Sequence, residues 1–92
     1  MGNVTVRRAV LRDVGGIINI LNGPEAPLRN GPGVVTYPQI SDEVREGRIT
    51  IAETSLSGQL IGVVRDGQIT VDPYFTDRNE LTEHLQRLSR TA

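Results

Sequence analysis

Four short stretches rich in β-branched and other apolar residues predict β-strands. In the first, Val4 and Val6 alternate with Thr5 and Arg7, the period of two expected of a strand with one buried face. An Asp66-Gly67 pair separates the last two stretches, and a two-residue hairpin turn favours such a pair because both positions need a positive φ. The predicted strands cover residues 3–10, 48–54, 59–65 and 68–72, and the last three form an antiparallel meander.

A period close to 3.6 predicts the first helix, with Asp13 as its N-cap. Its apolar residues recur at i, i+3, i+4 and i+7, which places them on one face. Gly15 and Gly16 weaken this helix by roughly 1 kcal/mol each relative to alanine, and Asn22-Gly23 predicts its end. The apolar face consists of Val14, Ile17, Ile18 and Leu21.

A long loop is predicted over residues 23–39, because four prolines and three glycines interrupt any regular pattern there. Each proline removes a backbone donor and restricts the residue before it. After the loop, Ser41 is the predicted N-cap of a short helix over residues 42–46, which Gly47 ends.

The last helix is predicted over residues 77–90. Asp77 is its predicted N-cap, and Glu80 three residues later completes a variant of the capping box. Leucines fall on one face of this helix, and we expect them to pack against Val14, Ile17, Ile18 or the sheet. They are Leu81, Leu85 and Leu88.

These elements together predict a single α+β domain over residues 1–92, in the order β-α-α-β-β-β-α. Its centre is a four-stranded mixed or antiparallel sheet on which the helices pack. A chain of this size buries about 60–65% of the surface that its unfolded form exposes, so the core is modest.

Composition excludes several classes of function. The chain has no cysteine and one histidine, His84, which excludes disulfides, a cysteine nucleophile and a multi-histidine metal site. Its ten basic residues are all arginine and are interleaved with acids, giving a net charge of −1; we therefore expect no nucleic-acid partner. The apolar runs are too short for a membrane span or a signal sequence, and we expect no membrane partner and a cytoplasmic location.

One stretch, residues 68–88, resembles a known family. Val71, Pro73 and Phe75 match the opening of the motif V-x-P-x-[YF]-R-G-x-G-[IVL]-G, with which the GNAT superfamily of N-acetyltransferases binds coenzyme A. The opening VTVRRAVLRDVGGIINILN resembles the first strand and helix of that superfamily, and RITIAETSLSGQLIGVV resembles its second and third strands. The resemblance implies an acyl-CoA site, with coenzyme-binding positions at Val71, Asp72, Phe75, Arg78 and Asn79.

The second part of that motif is missing, because residues 76–81 read Thr-Asp-Arg-Asn-Glu-Leu where arginine and glycines are expected. In the family, the pyrophosphate lies on the N–H groups of the glycine-rich loop and of the helix that follows. Asp77 and Glu80 place negative charge there, which favours the helix and repels phosphate. We therefore expect no tightly bound cofactor, although acetyl-CoA remains the one that the resemblance implies.

The candidate catalytic residue is Glu53, which would activate an amine through water as a general base; the alternative is an ordinary carboxylate at a strand end. The elements that follow the last helix in a complete GNAT domain have no counterpart before Ala92, so we expect another chain to supply them or the reaction not to occur.

Three interpretations follow. The first is a GNAT-like protein with a degenerate acyl-CoA site, acting as a binding or regulatory module or as half of a composite enzyme. The second is an active acetyl-CoA-dependent N-acetyltransferase completed by a dimer partner. The third is a small protein–protein interaction domain unrelated to GNAT. A homodimer or a partner protein is expected, because the strand over residues 68–72 would be left at the edge of the sheet.

Overall fold

A computed structural model describes residues 3–23 and 35–91, with the side chains of residues 89–91 left out of the description. Within these ranges the fold is α+β, as predicted. The strands are β1 (Val4–Arg8), β2 (Ile49–Thr54), β3 (Leu60–Arg65) and β4 (Gln68–Val71). The helices are α1 (Val14–Asn22), α2 (Tyr37–Arg45) and α3 (Arg78–Thr91), with a 3-10 turn at Leu11–Asp13 before α1.

The four strands form one sheet in the order β1-β2-β3-β4, and each neighbouring pair is antiparallel. The predicted meander is therefore confirmed. The Asp66-Gly67 turn has φ values of 51° and 76°, as a type I′ turn requires. Between Ala52 and Glu53 the pairing with β3 shifts by one residue, and this bulge places Ile61 and Gly62 together on the side of α3.

The sheet separates two hydrophobic clusters. One lies on the side of α1 and α2 and includes Val14, Ile17, Ile40, Ile49 and Ile51. The other lies on the side of α3 and consists of Ala52, Ile61, Leu81 and Leu85, with half-buried neighbours from β1 and β4. The helices therefore cover opposite faces of the sheet. Of the two alternatives expected for the leucines of α3, Leu81 and Leu85 pack on the sheet and not on the α1 residues.

The third leucine of the predicted α3 face does not belong to the core. Leu81 and Leu85 are at most 1% exposed, but Leu88 is 42% exposed. Leu88 is not part of the cluster that Leu81 and Leu85 form with the sheet, which sequence periodicity alone does not reveal.

The second helix begins earlier than predicted. It starts at Tyr37 instead of residue 42, and Thr36 is its N-cap, accepting a hydrogen bond from the Gln39 N–H. Pro38 falls in the first turn, where a helix tolerates proline because that N–H has no intrahelical acceptor. The predicted cap, Ser41, is buried inside the helix and its hydroxyl donates to the Pro38 carbonyl. Residues 24–34 of the predicted loop lie outside the described residues.

An ion pair joins α2 to β3. The guanidinium of Arg65 donates to both carboxylate oxygens of Glu43, at 2.8 and 2.9 Å. Glu43 is 7% exposed, and the hydrogen bonds to it raise the pKa of Arg65. Because both charges are paired with bidentate geometry, this contact fixes where α2 lies on the sheet.

Candidate functional site

The loop from β4 to α3 occupies the position of the expected coenzyme A loop, and it is held by its own hydrogen bonds. The Asp72 N–H still pairs with β3, donating to the Ile61 carbonyl at 2.8 Å. The Asp72 carboxylate then accepts from the Tyr74 N–H at 3.0 Å, and its carbonyl accepts from the Phe75 N–H at 3.1 Å. Asp72 therefore builds the turn that leaves the sheet.

The start of α3 closes back on the same loop. The Arg78 N–H donates to the Phe75 carbonyl at 3.3 Å, and the Arg78 guanidinium donates to the Pro73 carbonyl at 3.1 Å. The Asp77 carbonyl accepts from the Leu81 N–H at 3.0 Å. Both the backbone donor and the side-chain cation of Arg78 thus already have acceptors within the loop.

The apolar members of the candidate site belong to the core. Val71 and Phe75 are half-buried against the α3 cluster, whereas Tyr74 is 78% exposed. Leu81, at the last glycine position of the family motif, is fully buried in that cluster. Asn79 is exposed on the first turn of α3 together with Asp77 and Glu80.

Two cavities flank this loop. The first, of about 480 Å³, lies between α3 and the end of the β1–β2 pair. Val4, Leu56 and Phe75 form its apolar part, and Asp77 and Glu80 supply its charges. The second, of about 340 Å³, lies on the α1 side and includes Asp72 and Tyr74. Neither cavity, as far as the described residues form it, is lined by an arginine that would bind phosphate.

Glu53 lies on the α1 side of the sheet, opposite the α3 cluster against which Val71 and Phe75 pack. Arg7 donates to both of its carboxylate oxygens, at 2.9 and 3.0 Å. The same guanidinium donates to both oxygens of Asp13, at 2.8 and 3.1 Å. Arg7 thus connects β1, β2 and the turn before α1, an arrangement that we call the Arg7 cluster.

Electrostatics explain why the Arg7 cluster stays charged. Hydrogen bonds from Arg7 lower the pKa of Glu53 and of Asp13, more than burial raises either, and the two carboxylates raise the pKa of Arg7. A carboxylate with a lowered pKa is a weaker base than usual. The geometry therefore gives Glu53 a structural role in linking two strands to α1.

The predicted role of Asp13 as the N-cap of α1 is wrong. Asp13 precedes α1 as predicted, but its side chain makes no capping bond to that helix. Instead, its carboxylate also accepts from the Val10 N–H at 2.8 Å. Arg7 attracts the carboxylate away from the N–H groups of α1, since two hydrogen bonds from a cation are stronger than a single bond from a neutral backbone N–H.

The pH dependence of stability tests the Arg7 cluster. Carboxylates whose pKa is lowered in the folded state stabilise it above their unfolded pKa of about 4, and this contribution is lost as pH falls through the folded values. We expect Arg7→Met to be less stable than the wild type at pH 7 and the difference to shrink towards pH 3. Urea unfolding at several pH values measures it, with Arg45→Met as the control because Arg45 is exposed and 3.6 Å from Asp42. A difference that does not change with pH would contradict the assignment.

Sequence reasoning missed three polar contacts that organise the fold: the Arg7 cluster, the ion pair between Arg65 and Glu43, and a buried contact between Asn22 and Val35. The sequence signal for the Arg7 cluster was an arginine on the face of β1 opposite the valines, followed by the acidic residue Asp13 in the next turn. For Asn22 there was none, because its partner is a backbone group 13 residues away.

Comparison with known proteins found no match, either to a family model or to a curated protein. None of the helices in residues 3–23 and 35–91 has the length and apolar character needed to cross a bilayer.

Proposed function

We propose that this protein is a GNAT-like binding or regulatory module whose acyl-CoA site is degenerate, and that it works by associating with another chain. The observation that carries the proposal is the loop from β4 to α3. This loop connects a strand to a helix, as the coenzyme A loop of the family does, but its polar groups form hydrogen bonds with one another.

The order of strands and helices supports the GNAT-like fold in this proposal. A strand, two helices, an antiparallel three-stranded meander and a further helix follow one another, which is the order that the resemblance implies. Val71 and Phe75, two of the residues that match the family motif, pack against the α3 cluster and hold the loop against the sheet.

Support for degeneracy comes from the anion site. A helix N-terminus binds phosphate through its free N–H groups and its dipole. Here the Arg78 N–H and guanidinium have acceptors at Phe75 and Pro73, and Asp77 and Glu80 are exposed beside the same turn. A pyrophosphate would therefore meet two carboxylates and would have to displace the contacts of the nearest cation.

The same reasoning extends to catalysis. Glu53 is bound by Arg7 on the α1 side, whereas Phe75 lies in the α3 cluster on the other side. An amine activated by Glu53 would be separated by the sheet from a thioester held at the start of α3. We infer that association, and not acyl transfer, is the activity of this chain, with a homodimer or a partner protein as its expected form.

Titration calorimetry with acetyl-CoA and with coenzyme A tests the proposal. We expect a dissociation constant weaker than about 1 μM at physiological ionic strength, that is, a binding free energy smaller in magnitude than about 8 kcal/mol. Binding tighter than this would contradict the degenerate site and favour an active N-acetyltransferase.

A further inference from the structure

Among the described residues, strand β4 has a partner on one side only. In an antiparallel pair joined by a two-residue turn, the two residues that flank the turn form a hydrogen-bonded pair, each donating to the other. Hydrogen-bonded and non-hydrogen-bonded pairs then alternate along the strands. Arg65 and Gln68 flank the turn and Val63 is opposite Thr70, so Gln68 and Thr70 direct their N–H and C=O groups to β3. Ile69 and Val71 direct theirs outward.

We propose that two copies of this chain pair antiparallel through β4, about a two-fold axis at Thr70, to form a continuous eight-stranded sheet. The inference rests on the proposed function, since it names a second copy as the associating partner. It defines the interface by its register: Ile69 is opposite Val71 of the second copy, and Val71 is opposite Ile69 of the second copy.

Shifting the two β4 strands in either direction to the next two-fold symmetric register gives fewer hydrogen bonds between the copies. A shift that places Ile69 opposite itself would pair Val71 with Gly67, which has a φ of 76° in the turn and is not extended. A shift that places Val71 opposite itself would pair Ile69 with Pro73, which has no N–H to donate. The register centred on Thr70 uses all four outward groups of each copy, those of Ile69 and Val71.

The side chains fit the same arrangement. Ile69 and Val71 are half-buried on the α3 side, and in this register each becomes the cross-strand neighbour of the other, which extends the apolar cluster across the axis. Edge strands are usually protected by charged residues or proline. The sequence of β4, QITV, has neither, whereas the edge strand β1 carries Arg7 and Arg8.

The absence of cysteine from the chain permits a direct test with single-cysteine variants. In the proposed register, residue 70 is opposite its own copy in a non-hydrogen-bonded pair, with Cα atoms roughly 4.5 Å apart, which is within the range of a disulfide. Thr70→Cys should therefore form a covalent dimer under mild oxidation, seen on a non-reducing gel. Gln68→Cys is the matched control: its two copies would be roughly 13 Å apart along the strands and should stay uncrosslinked.

Sedimentation of the wild type and of Val71→Pro completes the test. Val71→Pro removes an outward N–H that has no acceptor within the β3–β4 pair, so the dimer should dissociate at least about tenfold more readily while cooperative thermal unfolding persists. A wild-type monomer at high micromolar concentration overturns the proposal. A dimer whose Thr70→Cys variant does not crosslink overturns this interface. Neither outcome changes the acetyl-CoA titration, which tests the degenerate site separately.

Discussion

Replacing Leu85 with alanine is expected to reduce the free energy of unfolding by about 2–5 kcal/mol, the range for buried leucines. Leu85 is 1% exposed among Ala52, Ile61 and Leu81. Its Cδ1 atom would lie 3.3 Å from a Cβ on Gly62, so the helix packs closely over the bulged part of β3. Rigid sheet on one side and the helix backbone on the other leave little freedom to close the cavity.

Leu88→Ala is the matched control, since it makes the same chemical change in the same helix at a residue that is 42% exposed. We expect it to cost less than about 1 kcal/mol. Urea unfolding of both variants gives the comparison. Equal losses would show that α3 does not pack on the sheet through Leu81 and Leu85.

Asn22→Ala is expected to cost about 2–6 kcal/mol, because it leaves a buried backbone N–H and C=O without these partners at about 1–3 kcal/mol each. Asn22 is 5% exposed. Its amide oxygen accepts from the Val35 N–H at 2.9 Å, and its amide nitrogen donates to the Val35 carbonyl at 3.2 Å. This contact joins the end of α1 to the residue before the cap of α2.

The control for this variant is Asn19→Ala, one turn earlier on the same helix and exposed. Chemical denaturation should show a small change for Asn19→Ala and a large one for Asn22→Ala. If the two variants lose similar stability, the Asn22 contact does not hold the connection between α1 and α2.

The elements that the sequence predicted best are those with local signals. The period of two in β1 and the Asp66-Gly67 turn each depend on residues close in the chain, and both are confirmed. The end of α2 was also predicted, because Gly47 adopts a φ of 72° that favours glycine. Its start was missed because Pro38, read as a helix breaker, lies in the first turn, where it is compatible with a helix.

The arrangement of the candidate site was not predictable in the same way. Glu53 and Phe75 are only 22 positions apart in the sequence, but the sheet puts them on opposite faces, and the one-residue shift beside Glu53 has no clear sequence signal. The partner of Glu53 is Arg7, 46 residues away. Long-range polar contacts of this kind depend on strand register, which periodicity constrains and does not fix.

The structure indicates which residues of the missing motif can be restored by substitution. Thr76→Arg, Asp77→Gly and Asn79→Gly rebuild the arginine and two glycines at exposed positions. A glycine at position 81 would instead remove a fully buried leucine, so Leu81 has to stay. The triple variant should lose some helix stability, since Asn79→Gly lowers helix propensity in the first turn of α3 and Asp77→Gly removes the predicted N-cap side chain.

The most direct test of the degenerate site is a calorimetric titration of coenzyme A into the wild type and into this triple variant, side by side. If the charges and contacts of the loop prevent phosphate binding, the wild type should bind more weakly than about 1 μM and the triple variant at least about tenfold more tightly than the wild type. Submicromolar binding to the wild type, or no gain in a folded triple variant, would contradict the account.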